Sequence, residues 1–311
     1  MIKDIIDQEG PVQLTLLVKN VTRALSSSGV PYLSITFQDK SGIIDAKMWQ
    51  ISENDELLAV PGQVLLVDGV VSNYKGHPQI KVEEIEPVDL KNVNIEKLIP
   101  SSTIPIDELK KKVYEYIDLI NDDEIKKLTL KVIKDREEDY FTYPAAAVIH
   151  HAFLGGLAYH SLNICSDAIK IANNYEFLNK DYLISGSLLH DIGKLIELSG
   201  YIATNYTLPG NLLGHLELGS MIVFNTGKEL KVTSEKLYTL NHIIVSHHGK
   251  PEYGSIKFPM TPEAYVVHSL DDLDAKMEVL SNAFEQTQVG EFTKKIPWMD
   301  NVSFYKDKSK Q

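Results

Sequence analysis

The chain has 311 residues, of which 43% are hydrophobic and 24% charged, a composition typical of folded globular proteins rather than of disordered or membrane-embedded chains. Its length exceeds that of one typical domain, so we expect two domains. The formal net charge of -12 argues against a protein that holds nucleic acid mainly through a broad basic surface. Carboxylates that await divalent cations would inflate this negative charge.

The cellular environment is predicted from what the sequence lacks. The single cysteine, Cys165, cannot form an internal disulfide, and the first ten residues are too acidic and too poor in apolar side chains for a secretory signal. No apolar run approaches the roughly 18 residues that a membrane helix needs. We therefore predict a cytoplasmic protein with no membrane partner.

The first ninety residues are predicted to form strands. Five runs show β-branched enrichment or alternation and are separated by turn residues: 12–20, 32–38, 43–49, 64–73 and 79–88. The segments 39–42 and 75–78 have the composition of turns. Five short strands predict an N-terminal all-β barrel of the OB-fold type over residues 1–90, a fold whose open face commonly binds single-stranded oligonucleotides.

Aromatic side chains in these strands are candidates for stacking on nucleic-acid bases. They are Tyr32, Phe37, Trp49 and Tyr74. Aromatic residues in strands more often belong to a core, so that interpretation stays open for each of them. Residues 1–90 hold seven Lys or Arg against thirteen Asp or Glu, so this barrel would have to bind a strand through local patches and stacking.

Residues 91–105 are predicted to be a linker, because prolines and serines cluster towards the end of that segment. Beyond it we predict an all-α helical bundle over residues 106–311, including a C-terminal tail. Its predicted helices cover 106–120, 123–134, 145–151, 157–173, 181–196, 215–228, 234–246 and 261–288. Thr261-Pro262 is typical of a helix start, and Gly249 of a residue that follows a helix end.

Histidines are concentrated in the predicted bundle, where eight of the ten lie between positions 150 and 248. The apolar segment 187–194 contains the adjacent pair His190-Asp191. A buried carboxylate has to be neutralised, hydrogen-bonded or bound to a cation, so this pair predicts a metal unless it only makes local hydrogen bonds. A mixed imidazole and carboxylate site suits Mn, Fe, Zn or Mg.

Further candidate ligands come from other predicted helices, which is how a bundle builds a metal site in its core. The full predicted ligand set is His160, His190, Asp191, His215, His247, His248 and Asp271. Adjacent residues on a helix point about 100° apart, so one of His247 and His248 could bind metal while the other contacts phosphate or supports a ligand. Lys194 could stabilise phosphate charge, or it could only interact with the helix dipole.

This pattern resembles the signature of the HD-domain metal-dependent phosphohydrolases, which is a His, then a His-Asp pair, then a distant Asp. His160 matches the first His, His190-Asp191 the pair, and Asp271 the last Asp. Leu270 stands where these domains usually have Ala, which leaves Asp272 as an alternative, although the spacing to Leu273-Asp274-Ala275 favours Asp271. His215 and the His247-His248 pair look like the extra ligands of binuclear members.

The whole chain also resembles the YhaM type of 3′-to-5′ exoribonuclease, in which an OB-fold precedes an HD domain. The segments that carry this resemblance are His150-His151-Ala152, Ser246-His247-His248-Gly249, and the tail segments Gly290-Glu291-Phe292-Thr293 and Phe304-Tyr305-Lys306. The resemblance implies hydrolysis of single-stranded RNA, with single-stranded DNA as a second candidate, to nucleoside 5′-monophosphates. It also implies a divalent cofactor, with Mn as first choice and Mg, Fe or Co as alternatives. Two such ions could generate a hydroxide and hold the scissile phosphate. Asp191, whose two oxygens could bridge the ions, and Lys194 are therefore predicted to be catalytic.

Two other functions stay open on the sequence alone. The protein could be an HD phosphodiesterase for a small nucleotide or a cyclic dinucleotide, with the barrel as a regulatory appendage. It could also be a non-catalytic accessory factor that binds single strands around a closed, structural metal site. An acidic chain that acts on a polyanion further suggests a homo-oligomer.

Overall fold

The computed structural model describes residues 1–74, 76–89, 93–100, 102–146, 151–202 and 204–309. The chain divides into two compact units. One consists of Met1–Ser101 with Ser199–Asn205, and the other of Ser102–Leu198 with Tyr206–Gln311. The domain boundaries at 90 and 105 stay a prediction. No helix in the described ranges is both long and apolar enough to cross a membrane.

The first unit contains a closed five-stranded barrel, which confirms the predicted N-terminal all-β barrel. The barrel order is β1-β2-β3-β5-β4, and all neighbours are antiparallel except β3 and β5. The strands are β1 (Gly10–Leu25), β2 (Pro31–Asp39), β3 (Gly42–Trp49), β4 (Val64–Tyr74) and β5 (His77–Pro87), with short helices α1 (Ile2–Ile5) and α2 (Glu53–Leu58).

The predicted turn at 39–42 joins β2 to β3, and it is stabilised by a buried carboxylate. Asp39 accepts hydrogen bonds from the backbone N–H groups of Ile2 and Ser41, both at 2.7 Å. Two charge-assisted bonds of this kind offset the cost of burying the carboxylate. The other predicted turn, 75–78, includes Lys75, which lies outside the described residues.

Phe37 lies in the barrel core, so the prediction that it stacks on bases is wrong. Its side chain is 0% exposed and packs with Leu33 and Ile35, which alternate with outward-facing residues along β2. A strand side chain at an inward position cannot present its ring to a ligand on the outside of the barrel.

The second unit is an all-α bundle, as predicted. Its apolar core contains buried side chains from each of the helices given next. They are α3 (Ile106–Asp118), α4 (Asp123–Lys134), α5 (Glu137–Thr142), α6 (Gly156–Ala172), α7 (Lys180–Leu189), α8 (Lys194–Glu197), α9 (Leu208–Glu229), α10 (Ser234–Ser246) and α11 (Pro262–Glu285).

The helix predicted at 181–196 is in fact two helices, α7 and α8, separated by a tight turn. Within the turn, Lys194 N–H donates to the Asp191 carbonyl at 3.0 Å, a three-residue spacing tighter than that of an α-helix. A Cβ on Gly193 would collide with the carbonyl oxygen of His215, so only glycine allows α9 to approach this closely. The turn is therefore set by a distant contact that helical periodicity does not reveal.

Other helix ends differ from the predictions for local reasons. Helix α9 starts before the predicted 215, because Thr207 Oγ1 caps Gly210 N–H at 3.0 Å, and α9 is kinked at Gly214, where φ is 75°. In the predicted helix 145–151, the described residues Ala145, Ala146 and His151 are not helical, and 147–150 lie outside the described residues. Thr261 caps α11 as predicted.

Candidate metal centre

Helices α6 to α11 bring all seven predicted ligands into one cluster. His160 comes from α6, His215 from α9 and Asp271 from α11, while the other four sit where α7 and α10 end. His160, His190, Asp191 and His247 are almost completely buried. A cavity of about 490 Å³ opens onto the cluster, and its lining includes Asp191, Lys194, His215, His247, His248 and Asp271.

Each histidine of the cluster is oriented by a hydrogen bond from its Nδ1 atom. Nδ1 of His190 lies 2.9 Å from the Ser187 carbonyl, and Nδ1 of His247 lies 2.7 Å from the Ile244 carbonyl. A carbonyl oxygen can only accept, so Nδ1 of both rings carries the proton. The remaining Nδ1 contacts are His248 with the Tyr253 carbonyl at 2.8 Å, His215 with Glu197 Oε1 at 3.0 Å, and His160 with Asp274 Oδ2 at 2.6 Å.

This orientation points the Nε2 atoms towards one another. Nε2 of His160 and His190 are 3.3 Å apart, and Nε2 of His215 and His248 are 3.1 Å apart. His215 and His248 both carry the proton on Nδ1, so in the neutral rings their Nε2 atoms can only accept, and two facing lone pairs repel. A cation that both nitrogens bind removes that repulsion, so the histidines fit a metal site.

The carboxylate of Asp191 faces two groups of histidines, one with each oxygen. Oδ2 is 3.3 Å from Nε2 of His190 and 3.7 Å from Nε2 of His160. Oδ1 is 3.5 Å from Nε2 of both His215 and His247. Among the described residues, neither Asp191 Oδ1 nor His247 Nε2 has a hydrogen-bond partner, although both are buried. Such atoms need a ligand, and this arrangement fits a carboxylate that bridges two ions.

Lys194 forms an ion pair with the same carboxylate. Its buried Nζ donates to Asp191 Oδ2 at 2.6 Å. Burial alone would raise the pKa of Asp191, but Lys194 and the histidines hold that pKa well below its usual range. Burial likewise opposes protonation of Lys194, but Asp191 outweighs it and the Lys194 pKa is raised. Because Lys194 opens α8, it lies at the wrong end of that helix to stabilise the dipole.

Of the two candidate aspartates on α11, only Asp271 faces the cluster. Asp271 Oδ1 is 3.1 Å from Nε2 of His160, whereas Asp272 is exposed and accepts from Lys276 Nζ at 2.6 Å. Burial alone would raise the pKa of Asp271, but the hydrogen bond to His160 and the nearby histidines hold that pKa well below its usual range. Burial also opposes protonation of His160, but Asp271 and Asp274 raise its pKa to about 9. The carboxylates therefore make this part of the site attractive to cations.

Two carboxylates that orient ligands were missed from the sequence. Asp274 Oδ2 accepts from Nδ1 of His160 and also lies 2.7 Å from Nε2 of His151. Glu197 Oε1 accepts from both Nδ1 and N–H of His215. The three-residue spacing of Asp271 and Asp274 on one helix face was a signal for Asp274. Nothing in the local sequence indicated Glu197, which lies 18 positions before His215.

Two of the barrel aromatics form a pair on the outside of the sheet. Tyr32 and Trp49 are register partners on β2 and β3, with ring centroids 4.5 Å apart. Trp49 is 41% exposed, and Lys47 Nζ lies 5.1 Å from the centre of the Tyr32 ring. Tyr74 is exposed at the end of β4. A partly exposed aromatic pair beside a lysine suits a single strand, which presents both base faces and phosphate charge.

Comparisons with known proteins agree with both the fold and the cluster. Residues 5–88 match the family model of the OB-fold nucleic acid binding domain, and residues 157–276 match that of the HD domain. The fold and the site thus define an HD-domain protein with an N-terminal OB-fold. HD domains depend on divalent metals, and several His/Asp groups of the described residues have the geometry to hold an ion.

Relatives over the full length identify the family. The chain is 40% identical to the 3′-5′ exoribonuclease YhaM of Bacillus subtilis (strain 168), over 94% of this chain and 93% of the relative. It is 39% identical to the proteins of the same name from Bacillus licheniformis, over 95% and 94%, and from Geobacillus sp. (strain WCH70), over 95% and 91%. The chain belongs to the YhaM family of 3′-5′ exoribonucleases, which confirms the resemblance predicted from its motifs.

Proposed function

We propose that this protein is a metal-dependent 3′-to-5′ exoribonuclease that hydrolyses single-stranded RNA to nucleoside 5′-monophosphates, with single-stranded DNA as a second substrate. The observation that carries the proposal is the buried Asp191 carboxylate, whose two oxygens face two separate groups of histidines. The relatives named as 3′-5′ exoribonucleases support the same activity.

The ligands divide naturally between two ions. His160, His190 and Asp271 would hold one ion with Asp191 Oδ2, and His215, His247 and His248 would hold the other with Asp191 Oδ1. When bound, two divalent ions supply Lewis acidity that favours deprotonation of the attacking water and neutralises charge on the scissile phosphate. The mixed nitrogen and oxygen donors suit Mn, with Mg, Fe or Co as alternatives.

The protein's own residues would prepare the site for this chemistry. Carbonyl and carboxylate acceptors fix the imidazole rings, so that no reorganisation is needed when substrate binds. Lys194 would keep Asp191 ionised and in place, and would add positive charge beside the phosphate. The cavity beside the cluster leaves room for a phosphodiester, which supports a catalytic site over a closed structural one.

The barrel would hold the strand upstream of its 3′ end. Tyr32 and Trp49 would stack on bases, and Tyr74 would add a further aromatic contact. We also propose a homo-oligomer, because an acidic chain that acts on a polyanion needs an attractive field, which several copies assembled around one strand with their metals would supply. Light scattering would test this oligomeric state. The proposed location is cytoplasmic, and the one cysteine, Cys165, is buried and free of any disulfide.

Metal removal and return is the test of the proposed activity. A 5′-labelled single-stranded RNA incubated with the protein and Mn(II) should give a ladder that shortens from the 3′ end, with nucleoside 5′-monophosphates as product. A chelator should abolish the ladder, because most of the charge stabilisation comes from the ions, and excess Mn(II) should restore it. A strand that stays intact, with cleavage of a cyclic dinucleotide instead, would contradict the proposal and favour a small-nucleotide phosphodiesterase.

Replacing Asp274 tests whether this carboxylate positions His160. Asp274→Asn keeps an acceptor for Nδ1 of His160 but removes the charge that makes the ring a strong ligand, so we expect metal affinity to fall by about 10- to 100-fold. Calorimetric titration of the chelated protein with Mn(II) measures this directly. The matched control is Asp167→Asn, which alters an exposed carboxylate paired with Lys170 on the same helix as His160. Equal metal affinities in the two variants would argue against the positioning role.

A further inference from the structure

Three exposed aromatic side chains line the cavity beside the metal cluster. Tyr206, Tyr253 and Trp298 are 56%, 68% and 67% exposed, and all three belong to the cavity lining. Single exposed aromatic residues are common on protein surfaces and need no explanation. Three around one cavity, next to a set of metal ligands, form an apolar surface that indicates a ligand with flat faces.

Trp298 is held at the cavity by a folded C-terminal tail. Two isolated antiparallel β-bridges, Phe292↔Tyr305 and Ile296↔Val302, hold two segments of the tail together. Trp298 lies in the short 3₁₀ turn Pro297–Met299, inside the loop that these bridges close. Lys306 Nζ donates to the Phe284 and Thr287 carbonyls, at 2.6 and 2.8 Å, and so ties the tail to the end of α11. The backbone of this tail is fixed by these contacts, yet the Trp298 ring is left largely unpacked.

Tyr253 is linked to the metal ligands through its backbone. Its carbonyl accepts the hydrogen bond from Nδ1 of His248, while its side chain stays exposed at the cavity. The same short 3₁₀ turn, Pro251–Tyr253, therefore orients a ligand and presents an aromatic ring. Any group bound at that ring would lie beside the cluster.

The rest of the lining determines what such a ligand would be. The described lining residues include no Asn, Gln, Ser, Thr or Arg side chain, and the amine of Lys194 is engaged by Asp191. The lining also contains Asp272, which accepts from Lys276, and His268, whose Nδ1 donates to the His247 carbonyl. The cavity thus offers aromatic faces, and most of its polar side chains are already engaged. Ring stacking of this kind tolerates every base, because every base has a π-face.

We infer that Trp298, together with Tyr206 and Tyr253, forms a base-stacking subsite for the 3′-terminal nucleotides of the single-stranded RNA. The inference rests on the proposed function and deepens it, because the 3′ end is the part of the strand that must reach the metal centre. It assigns the C-terminal tail a part in substrate binding and predicts binding with little sequence preference.

Tryptophan fluorescence gives a direct test, since the chain contains two tryptophans, Trp49 and Trp298. Trp49→Phe leaves the cavity tryptophan as the single reporter, and Trp298→Phe leaves the barrel tryptophan. Both full-length variants are titrated with adenosine 5′-monophosphate in the presence of Mg(II), which replaces Mn(II) because paramagnetic Mn(II) quenches fluorescence itself. We expect saturable quenching in Trp49→Phe. Its absence there, whether or not Trp298→Phe is quenched, would overturn the subsite.

Kinetics on a short RNA provide the second measurement. Trp298→Ala should raise KM about 5- to 150-fold, which corresponds to the roughly 1–3 kcal/mol of one base–aromatic stack, and Trp298→Phe should recover most of that loss. Phe177→Ala, which removes an aromatic ring of 71% exposure outside the cavity lining, is the control and should leave KM unchanged. Equal KM values for Trp298→Ala and Phe177→Ala would overturn the inference.

The two hypotheses fail in different ways. Degradation of RNA from the 3′ end that is indifferent to Trp298→Ala would leave the exonuclease standing and reject the subsite. Quenching of Trp298 by the mononucleotide in a protein that leaves RNA intact would reject the polymer substrate and keep the subsite for a small nucleotide.

Discussion

Asp191→Asn is expected to abolish RNA degradation, with a fall in kcat/KM of at least ~10³-fold. The neutral amide cannot serve two cations as the carboxylate does, and several kcal/mol of charge stabilisation correspond to about three powers of ten in rate. The bound metal should fall with the activity, because each Asp191 oxygen faces a different group of histidines. Metal content by mass spectrometry of the folded protein, alongside the gel assay, measures both effects.

The control for this prediction has to separate lost metal from lost stability. Asp191→Asn leaves the buried Lys194 ammonium without its partner, and breaking a buried ion pair costs about 3–5 kcal/mol. The double variant with Lys194→Met removes both charges, so it should regain thermal stability without regaining metal. An Asp191→Asn protein that keeps its full metal content and activity would contradict the assigned role.

The barrel shows which structural features can be predicted from short-range sequence patterns and which cannot. Alternation and β-branched residues predicted five strands, because each strand has one buried face. The same pattern did not separate Phe37 from Trp49, since both are aromatic residues in strands and only the inward or outward register distinguishes them. The parallel pairing of β3 with β5, which closes the barrel, is a contact between segments distant in sequence. Short-range periodicity carries no information about it.

The cluster was predictable for a different reason. A histidine or aspartate in an apolar segment is costly unless it has a partner, so the ligands on α6 and at the ends of α7 and α10 stand out from their surroundings. Asp274 and Glu197 act by orienting other side chains, and they lie on more polar or very short helices where a carboxylate needs no explanation. The residues that contact a metal are thus easier to recognise than those that hold them in place.

The break between α7 and α8 also limited the sequence-based analysis of the site. The apolar pattern of 181–196 continues through Ile192 and Leu195, so it predicts one uninterrupted helix. At the observed turn α9 packs closely against Gly193, and Lys194 Nζ forms a buried ion pair with Asp191. The alternative considered for Lys194, an interaction with the helix dipole, therefore gives way to a buried ion pair with Asp191.

The neighbouring aspartates of α11 provide the sharpest matched comparison in the chain. Asp271→Asn should lower kcat/KM by at least ~10²-fold, because loss of a ligand should exceed the roughly 10- to 100-fold effect of losing a partner that only orients one. Asp272→Asn should change it by less than about threefold, since an exposed ion pair contributes roughly 0–1 kcal/mol.

The two variants remove the same charge from adjacent positions, so a general effect of charge on RNA binding would act on both alike. A difference between them can come only from the direction of the side chains, which is towards Nε2 of His160 for Asp271 and towards Nζ of Lys276 for Asp272. Measured metal affinity should follow the same order as activity. A larger loss of activity in Asp272→Asn than in Asp271→Asn would assign the last Asp of the HD signature to Asp272. Asp272 would then replace Asp271 in the proposed division of ligands between two ions.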